Sequence, residues 1–156
     1  MNYVQIILAA AKAAKTSGLI LLAICTHESK LTNVTVPNDK GTPTYGICQV
    51  KYATAQMLGY QGEAEGLLNP KENAKWAANY LRYQQVRYGD WCRAVAAYNA
   101  GRYNESKVMP GYPRNIKYVN KVKNISTQHF TCDKIYTESS GYAKNNGPRL
   151  RIQSTK

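Results

Sequence analysis

Apolar residues follow a helical rhythm through the first thirty positions, in two different styles. Val4, Ile7, Leu8, Ala11 and Ala14 recur at three- and four-residue intervals, which predicts an amphipathic helix from Tyr3 to Lys15 with one buried face. Thr16-Ser17-Gly18 interrupts it. Leu19 to Cys25 is then apolar without a break, the pattern of a helix buried on nearly all sides. Leu21, Ile24, Cys25 and Glu28 share one stripe of that helix, so Glu28 extends an apolar face instead of pointing to water. Burial disfavours the charged form of a carboxyl group and raises its pKa. A proton held near neutral pH is what a general acid needs to protonate a leaving oxygen. The competing reading of Glu28 is a surface carboxylate in the last helical turn, just before Asn33 and Pro37.

The rhythm then breaks. From Leu31 to Tyr45 the chain is rich in turn formers (Asn33, Pro37-Asn38-Asp39, Gly41, Pro43), and Val34-Thr35-Val36 allows a short strand at best. Thr54 to Leu58 predicts a short helix closed by Gly59, and Gly62 and Gly66 predict a loose stretch after it. Asn69-Pro70 is an N-cap with proline at the first helical position. Ala74, Ala77, Ala78 and Leu81 form the inner stripe of the helix that follows, and Gly89 ends it. Asp90 caps the next helix, with Trp91, Val95 and Tyr98 along one side and Gly101 as its stop. A last short helix is predicted from Ile116 to Val122. From Ser126 the chain is polar and loses helical period. This division predicts one domain over residues 1–125 and a basic C-terminal extension over 126–156, with no internal repeat.

A chain of 156 residues suits a single domain with a real core. The two N-terminal apolar runs fall short of the ~20 residues that span a bilayer, so no transmembrane segment is expected. No Lys or Arg precedes the first run, which argues against a cleavable signal peptide. The net charge of +12, from 21 Lys and Arg against 9 Asp and Glu, draws the chain to polyanions: nucleic acid, anionic lipid or acidic wall polymer. Arg102, Lys107, Arg114, Lys117, Lys121 and Lys123 concentrate that charge, ordinarily the sign of a solvated face. Cys25, Cys48, Cys92 and Cys132 contain no CxxC pair, which excludes the usual metal clusters. Cys25 and Cys92 read as small core hydrophobes. Four cysteines permit three pairings, and without an export signal reduced thiols are expected.

Three segments stand out: His27-Glu28-Ser29, Tyr45-Gly46-Ile47-Cys48-Gln49-Val50, and Ala97-Tyr98-Asn99-Ala100-Gly101. Their order and spacing resemble the soluble lytic transglycosylase family of lysozyme-like enzymes, whose pattern is an E-S dipeptide, a G-L-M-Q-like segment and A-Y-N-A-G. Thr54 to Gly59, Asn69 to Asn73, Tyr80-Leu81-Arg82 and Tyr118-Val119 match around them, so the likeness spans residues 19–124. The resemblance implies a mainly α fold, a lysozyme-like α+β arrangement with a small irregular β region. It implies that Glu28 is a single acid/base acting on the MurNAc-β-1,4-GlcNAc bond of peptidoglycan glycan strands. Glu28 would protonate the glycosidic oxygen, then take the proton from the sugar's own 6-hydroxyl, leaving a 1,6-anhydromuramoyl end. Ser29, Gln49, Tyr98, Asn99 and Tyr118 match substrate-binding positions. It further implies no cofactor, no metal and no nucleic-acid partner, a monomer, and action on the periplasmic side of the bacterial wall, in the setting of a phage-type lysin or a secretion apparatus. Two departures stand: Ile47-Cys48 replaces the family's Leu-Met, and Pro37 to Tyr45 lacks its G-A-x-G run.

Side-chain chemistry fits the same substrate. Tyrosine rings stack on pyranose faces, while Gln and Asn amides pair with N-acetyl groups; 13 Tyr against one Phe favours rings with a polar handle. Each residue has a plainer reading: Tyr98 and Tyr118 as amphipathic core tyrosines, Gln49 as a loop amide bonded locally. A conventional glycosidase needs a second carboxylate. Asp39 is the one nearby in sequence and would make the chain a hydrolysing lysozyme, although Asp is common in such turns for local reasons. The HExxH pattern of zinc peptidases fails after His27-Glu28, and Ser29 and Cys48 lack a base and orienter. The non-enzymatic alternative is a basic module that binds wall polymer or nucleic acid and survives loss of Glu28.

Overall fold

Asn2 and Ser17 decide where the first two helices begin. Asn2 Oδ1 accepts from the Gln5 amide and Gln5 Oε1 from the Asn2 amide, each at 2.9 Å, a reciprocal cap that starts α1 (Tyr3–Ala14). Lys15 ends α1 in the left-handed conformation, and Ser17 Oγ accepts from the Ile20 amide at 3.1 Å to start α2 (Gly18–Ser29). The structure, a computed structural model, describes residues 1–39 and 41–132. Its chain divides into a first unit, Met1–Arg82, and a second that begins at Tyr83.

In the first unit α1 buries Ile6, Ile7 and Ala11, whereas Leu8 stays 37 % exposed. The expected stripe is rotated because Leu8 covers Gly18, where a Cβ would meet Leu8 Cδ2 at 2.8 Å. In α2, Ile20, Leu21, Ala23, Ile24 and Cys25 are buried, and only its first apolar residue, Leu19, faces out. β1 (Thr35–Asp39) pairs antiparallel with β2 (Thr42–Tyr45), Thr35 opposite Tyr45 and Val36 opposite Thr44, with an irregularity before Asp39 opposite Thr42. α3 spans Tyr52–Met57. The stretch predicted as loose instead holds a 3-10 helix, Ala64–Leu68, with Leu67 buried. Its glycines serve space, not looseness: a Cβ at Gly62 or Gly66 would collide with the Tyr60 hydroxyl, which donates to the Glu63 carbonyl at 2.7 Å.

α4 (Pro70–Tyr88) starts at the predicted place, with Asn69 Oδ1 accepting from the Lys71 and Glu72 amides at 2.9 and 3.1 Å. Ala74, Ala77, Ala78 and Leu81 are fully buried, as their stripe predicts, and Asn73 joins them. In the second unit α5 (Trp91–Ala100) buries Trp91, Val95 and Tyr98, and α6 (Ile116–Ile125) buries Val119 and Val122. The mainly α architecture with a small β region is therefore the observed one.

The expectation of reduced thiols is overturned. Cys25 is bonded to Cys48 within the first unit, and Cys92 to Cys132 within the second. That expectation rested on compartment alone. The fold brings each pair of Cα atoms within 4.2 and 5.2 Å, inside or just below the separations disulfides bridge. Of the predicted extension, Ser126 to Cys132 is tied down by the second disulfide and by buried Phe130; residues 133–156 lie outside the described part of the chain. Arg102, Lys107, Arg114, Lys117 and Lys121 are all exposed, as a solvated basic face requires, and Lys123 Nζ sits 6.0 Å over the Phe130 ring.

Asp90 caps α5 as predicted. Its Oδ1 accepts from the Arg93 amide at 2.8 Å, and its Oδ2 pairs with Arg93 Nε at 2.7 Å, with Asp90 itself buried. Asp90→Ala removes the cap and the ion pair together. It is expected to lower unfolding free energy by about 1–2 kcal/mol, read in a urea melt of the oxidised protein.

Candidate active site

Glu28 lies in the last turn of α2, one turn beyond buried Ile24 and Cys25, and is itself half-buried. The helix stops just after it. Lys30 and Leu31 both adopt left-handed backbone (φ 56° and 57°), and the Lys30 amide bonds back to the Thr26 carbonyl. This hook turns the chain away and leaves Glu28 at a helix terminus.

The Tyr45–Val50 turn is fastened to that terminus. Tyr45 and Val50 exchange backbone hydrogen bonds at 3.0 and 2.9 Å, closing the turn on itself. Gly46 has φ 78°, and a Cβ there would strike the Asn73 side chain and lie 2.8 Å from the Leu67 carbonyl oxygen. Only glycine meets both demands. The Cys25–Cys48 disulfide joins the turn to α2, and Ser29 Oγ donates to the Ile47 carbonyl at 2.6 Å while accepting from the Thr32 amide at 3.1 Å. From α4, fully buried Asn73 supplies three more ties. Its Oδ1 accepts from the Cys48 amide at 2.8 Å; its Nδ2 donates to the Tyr45 and Leu67 carbonyls at 2.6 and 2.8 Å.

Gln49 is spent on the same turn. Its backbone is left-handed (φ 51°), its Nε2 donates to the Val34 and Gly46 carbonyls at 3.0 and 2.9 Å, and its Oε1 accepts from Thr44 Oγ1. Both ends of the amide are thus engaged locally. Asp39 ends β1, and its side chain lies outside the described part of the structure.

In the second unit, Gly101 (φ 89°) ends α5 directly after the Ala97–Ala100 segment. Buried Gln84 donates from Nε2 to the Ala97 and Gly101 carbonyls at 3.4 and 3.2 Å, and Arg87 adds a bond to Gly101 at 3.1 Å. Tyr98 is 7 % exposed, so its ring is mostly inside the unit. Asn99 is half-buried, with Oδ1 accepting from Asn115 Nδ2 at 2.9 Å. Tyr118, half-buried in the first turn of α6, donates its amide to the Asn115 carbonyl at 3.0 Å. The structure therefore assembles two clusters: Glu28, Ser29 and the Gln49 turn in one unit, and Asn99 and Tyr118 around Asn115 in the other, with Tyr98 beside Asn99 on α5.

The sequence reading missed the central roles of Asn73 and Gln84. Both lie on the inner stripe of α4, at i−4 from Ala77 and i+3 from Leu81, and a polar residue inside an apolar row is a readable signal. Among the described residues there is no group of three metal-capable side chains, and no helix is long and apolar enough to cross a membrane.

Comparison with known proteins identifies a family, a relative and a fold. The model of the transglycosylase SLT domain matches residues 5–118. Protein IpgF of Shigella sonnei is 33% identical over 91 residues, which cover 56% of this chain and 60% of IpgF. The chain thus spans less than two thirds of that relative. An X-ray structure of an inactive mutant of the lytic transglycosylase Slt from Pseudomonas aeruginosa superposes with a TM-score of 0.62 at 20% identity, over 88% of this chain and 24% of Slt. That likeness speaks to the fold.

Proposed function

The chain belongs to the transglycosylase SLT family, and from that premise we propose that it is a peptidoglycan lytic transglycosylase with Glu28 as its single acid/base. The observation that carries the proposal is the placement of Glu28. It is a half-buried carboxyl group beyond an apolar stripe, at a helix end clamped to the Tyr45–Val50 turn by a disulfide and a serine bond.

Glu28 first gives its proton to the glycosidic oxygen. The bond from that oxygen to the anomeric carbon of MurNAc breaks, and its electron pair leaves with GlcNAc. The Glu28 carboxylate then takes the proton from the MurNAc 6-hydroxyl, whose oxygen bonds to the anomeric carbon. The 1,6-anhydro ring closes, Glu28 is reprotonated and no water is consumed. Geometry matters more than acidity alone here, because one group must serve two oxygens in turn. Ser29 and Gln49 contribute by fixing the turn beside the acid. Tyr118 offers a ring face and Asn99 an amide to the glycan, and Tyr98, 7 % exposed, reaches it only at its rim.

Exposed lysines and arginines from Arg102 to Lys121 hold the enzyme on anionic wall polymer. The two disulfides suit an oxidising compartment such as the periplasm. A phage-type lysin, delivered to or released on that side of the membrane, is the setting we assign. Digestion of purified sacculi followed by mass spectrometry of the muropeptides tests the chemistry. Anhydro ends are expected. Reducing ends alone would make the chain a hydrolase, and no release at all would remove it from the enzymes.

A further inference from the structure

Asn115 belongs to none of the short motifs singled out in the sequence, yet it links α5 to the start of α6. It immediately precedes α6, and its side chain reaches back to α5. Its Nδ2 donates to the Ala96 carbonyl at 3.0 Å and to Asn99 Oδ1 at 2.9 Å. Its own carbonyl accepts from the amides of Tyr118 and Val119 at 3.0 and 3.2 Å.

Hydrogen-bond chemistry fixes the orientation of the whole chain of amides. A backbone carbonyl can only accept, so Ala96 forces Asn115 to present its NH2 end to α5. The same NH2 then meets Asn99, which must answer with its oxygen. The NH2 of Asn99 is consequently turned to the side away from Asn115. The position of Asn115 is itself held by a closed loop. The Arg114 amide bonds to the Asn104 carbonyl at 2.7 Å, Glu105 and Pro113 form a bridge, and the Ser106 amide bonds to the Tyr112 carbonyl at 2.8 Å. Glu105 Oε2 accepts from the Gly111 amide at 2.9 Å, closing the far end.

We propose that Asn115 is a positioning residue that locks the Asn99 amide donor-side out, so that this point of the site selects a hydrogen-bond acceptor oxygen on the glycan. The inference rests on the reading of Asn99 as a substrate contact. It adds a residue that no motif contains and a polarity that no motif fixes. Asn115 also sets the first turn of α6, so Asn99 and Tyr118 are placed by one side chain and its backbone.

Asn115→Asp inverts the logic with little change in size. Its carboxylate oxygens face the Ala96 carbonyl and Asn99 Oδ1, and Asn99 must rotate its amide to donate inward, presenting oxygen to the glycan. On soluble uncrosslinked glycan strands, N115D is expected to raise KM about tenfold with kcat within about twofold, the signature of lost binding common to ground and transition states. Asn115→Ala, which frees Asn99 without inverting it, is expected to raise KM about threefold and serves if N115D fails to fold. Asn99→Ala should resemble N115D, and the double variant should be no worse than Asn99→Ala alone, because Asn115 acts through Asn99. Thermal melts accompany each variant. A wild-type KM in the folded Asn115 variants, or losses that multiply in the double variant, overturns the inference while leaving the enzyme assignment standing. A wild-type chain that releases no muropeptides sinks that assignment and this inference with it.

Discussion

Replacing Glu28 by Gln is expected to cut muropeptide release by about 10³-fold or more while the melting temperature stays within a few degrees. The amide preserves the volume and the half-buried setting of the side chain, so the last turn of α2 is expected to stay as it is. What it removes is the transferable proton. Loss of a general acid alone is typically worth about 10²–10⁴ in rate. In the proposed mechanism the same carboxyl group also deprotonates the 6-hydroxyl, so both halves of the reaction fail and the upper part of that range applies. Clearing of sacculi suspensions and muropeptide analysis read the rate, and circular dichroism reads the fold. A Glu28→Gln protein that keeps a tenth of wild-type activity is incompatible with a single acid/base. A folded, inactive protein that still binds sacculi separates catalysis from the affinity of the basic surface.

Asn73→Ala is expected to produce the largest loss of stability in the first unit, about 3–5 kcal/mol. Two buried backbone groups, the Cys48 N–H and the Leu67 carbonyl, bond to this one amide, and so does the part-buried Tyr45 carbonyl, which also accepts from the Val50 amide. Alanine replaces none of these bonds; the Tyr45 carbonyl keeps the Val50 amide, and the other two groups cost about 1–3 kcal/mol each before relaxation or water entry reduces the sum. Asn73→Asp is the sharper probe. It keeps an oxygen for Cys48 but turns a second oxygen against two carbonyls, so at neutral pH it is expected to be no better than alanine. Urea unfolding of the oxidised protein measures both. A cost below about 1 kcal/mol for Asn73→Ala would mean that the turn holds without the amide. Because Gly46, Cys48 and Gln49 sit on the same turn, cleavage of peptidoglycan is expected to fall along with stability.

The helices were legible wherever a cap and a stripe agreed. Asn69-Pro70 and Asp90 mark the starts of α4 and α5 because their side chains answer amides that helix formation leaves unbonded, a purely local matter. What local pattern cannot convey is which neighbour a residue will meet. Leu8 has the spacing of a core residue but is used to cover Gly18. Gly62 and Gly66 look like flexible punctuation, and only the position of the Tyr60 ring explains them. Compartment alone does not pair thiols: the Cys25–Cys48 bond depends on a turn whose geometry needs Gly46 and Asn73 together. The half-buried place of Glu28 was readable from the stripe that precedes it. The local engagement of Gln49 was visible only once Val34, Thr44 and Gly46 surrounded it. Asn115 carries no sequence signal, since an Asn before a helix is ordinary and its reach back to Ala96 is a matter of tertiary placement.

The crosslinks follow the order of synthesis: first cysteine with second, third with fourth. A chain threaded N-terminus first into an oxidising space exposes Cys25 and Cys48 together while Cys92 is still upstream of the exit. The first pair can therefore close before either later thiol arrives, which leaves Cys92 and Cys132 only each other, and neither loop encloses the other. Where the chain enters such a space in that order, sequential oxidation alone is expected to give the native pairing.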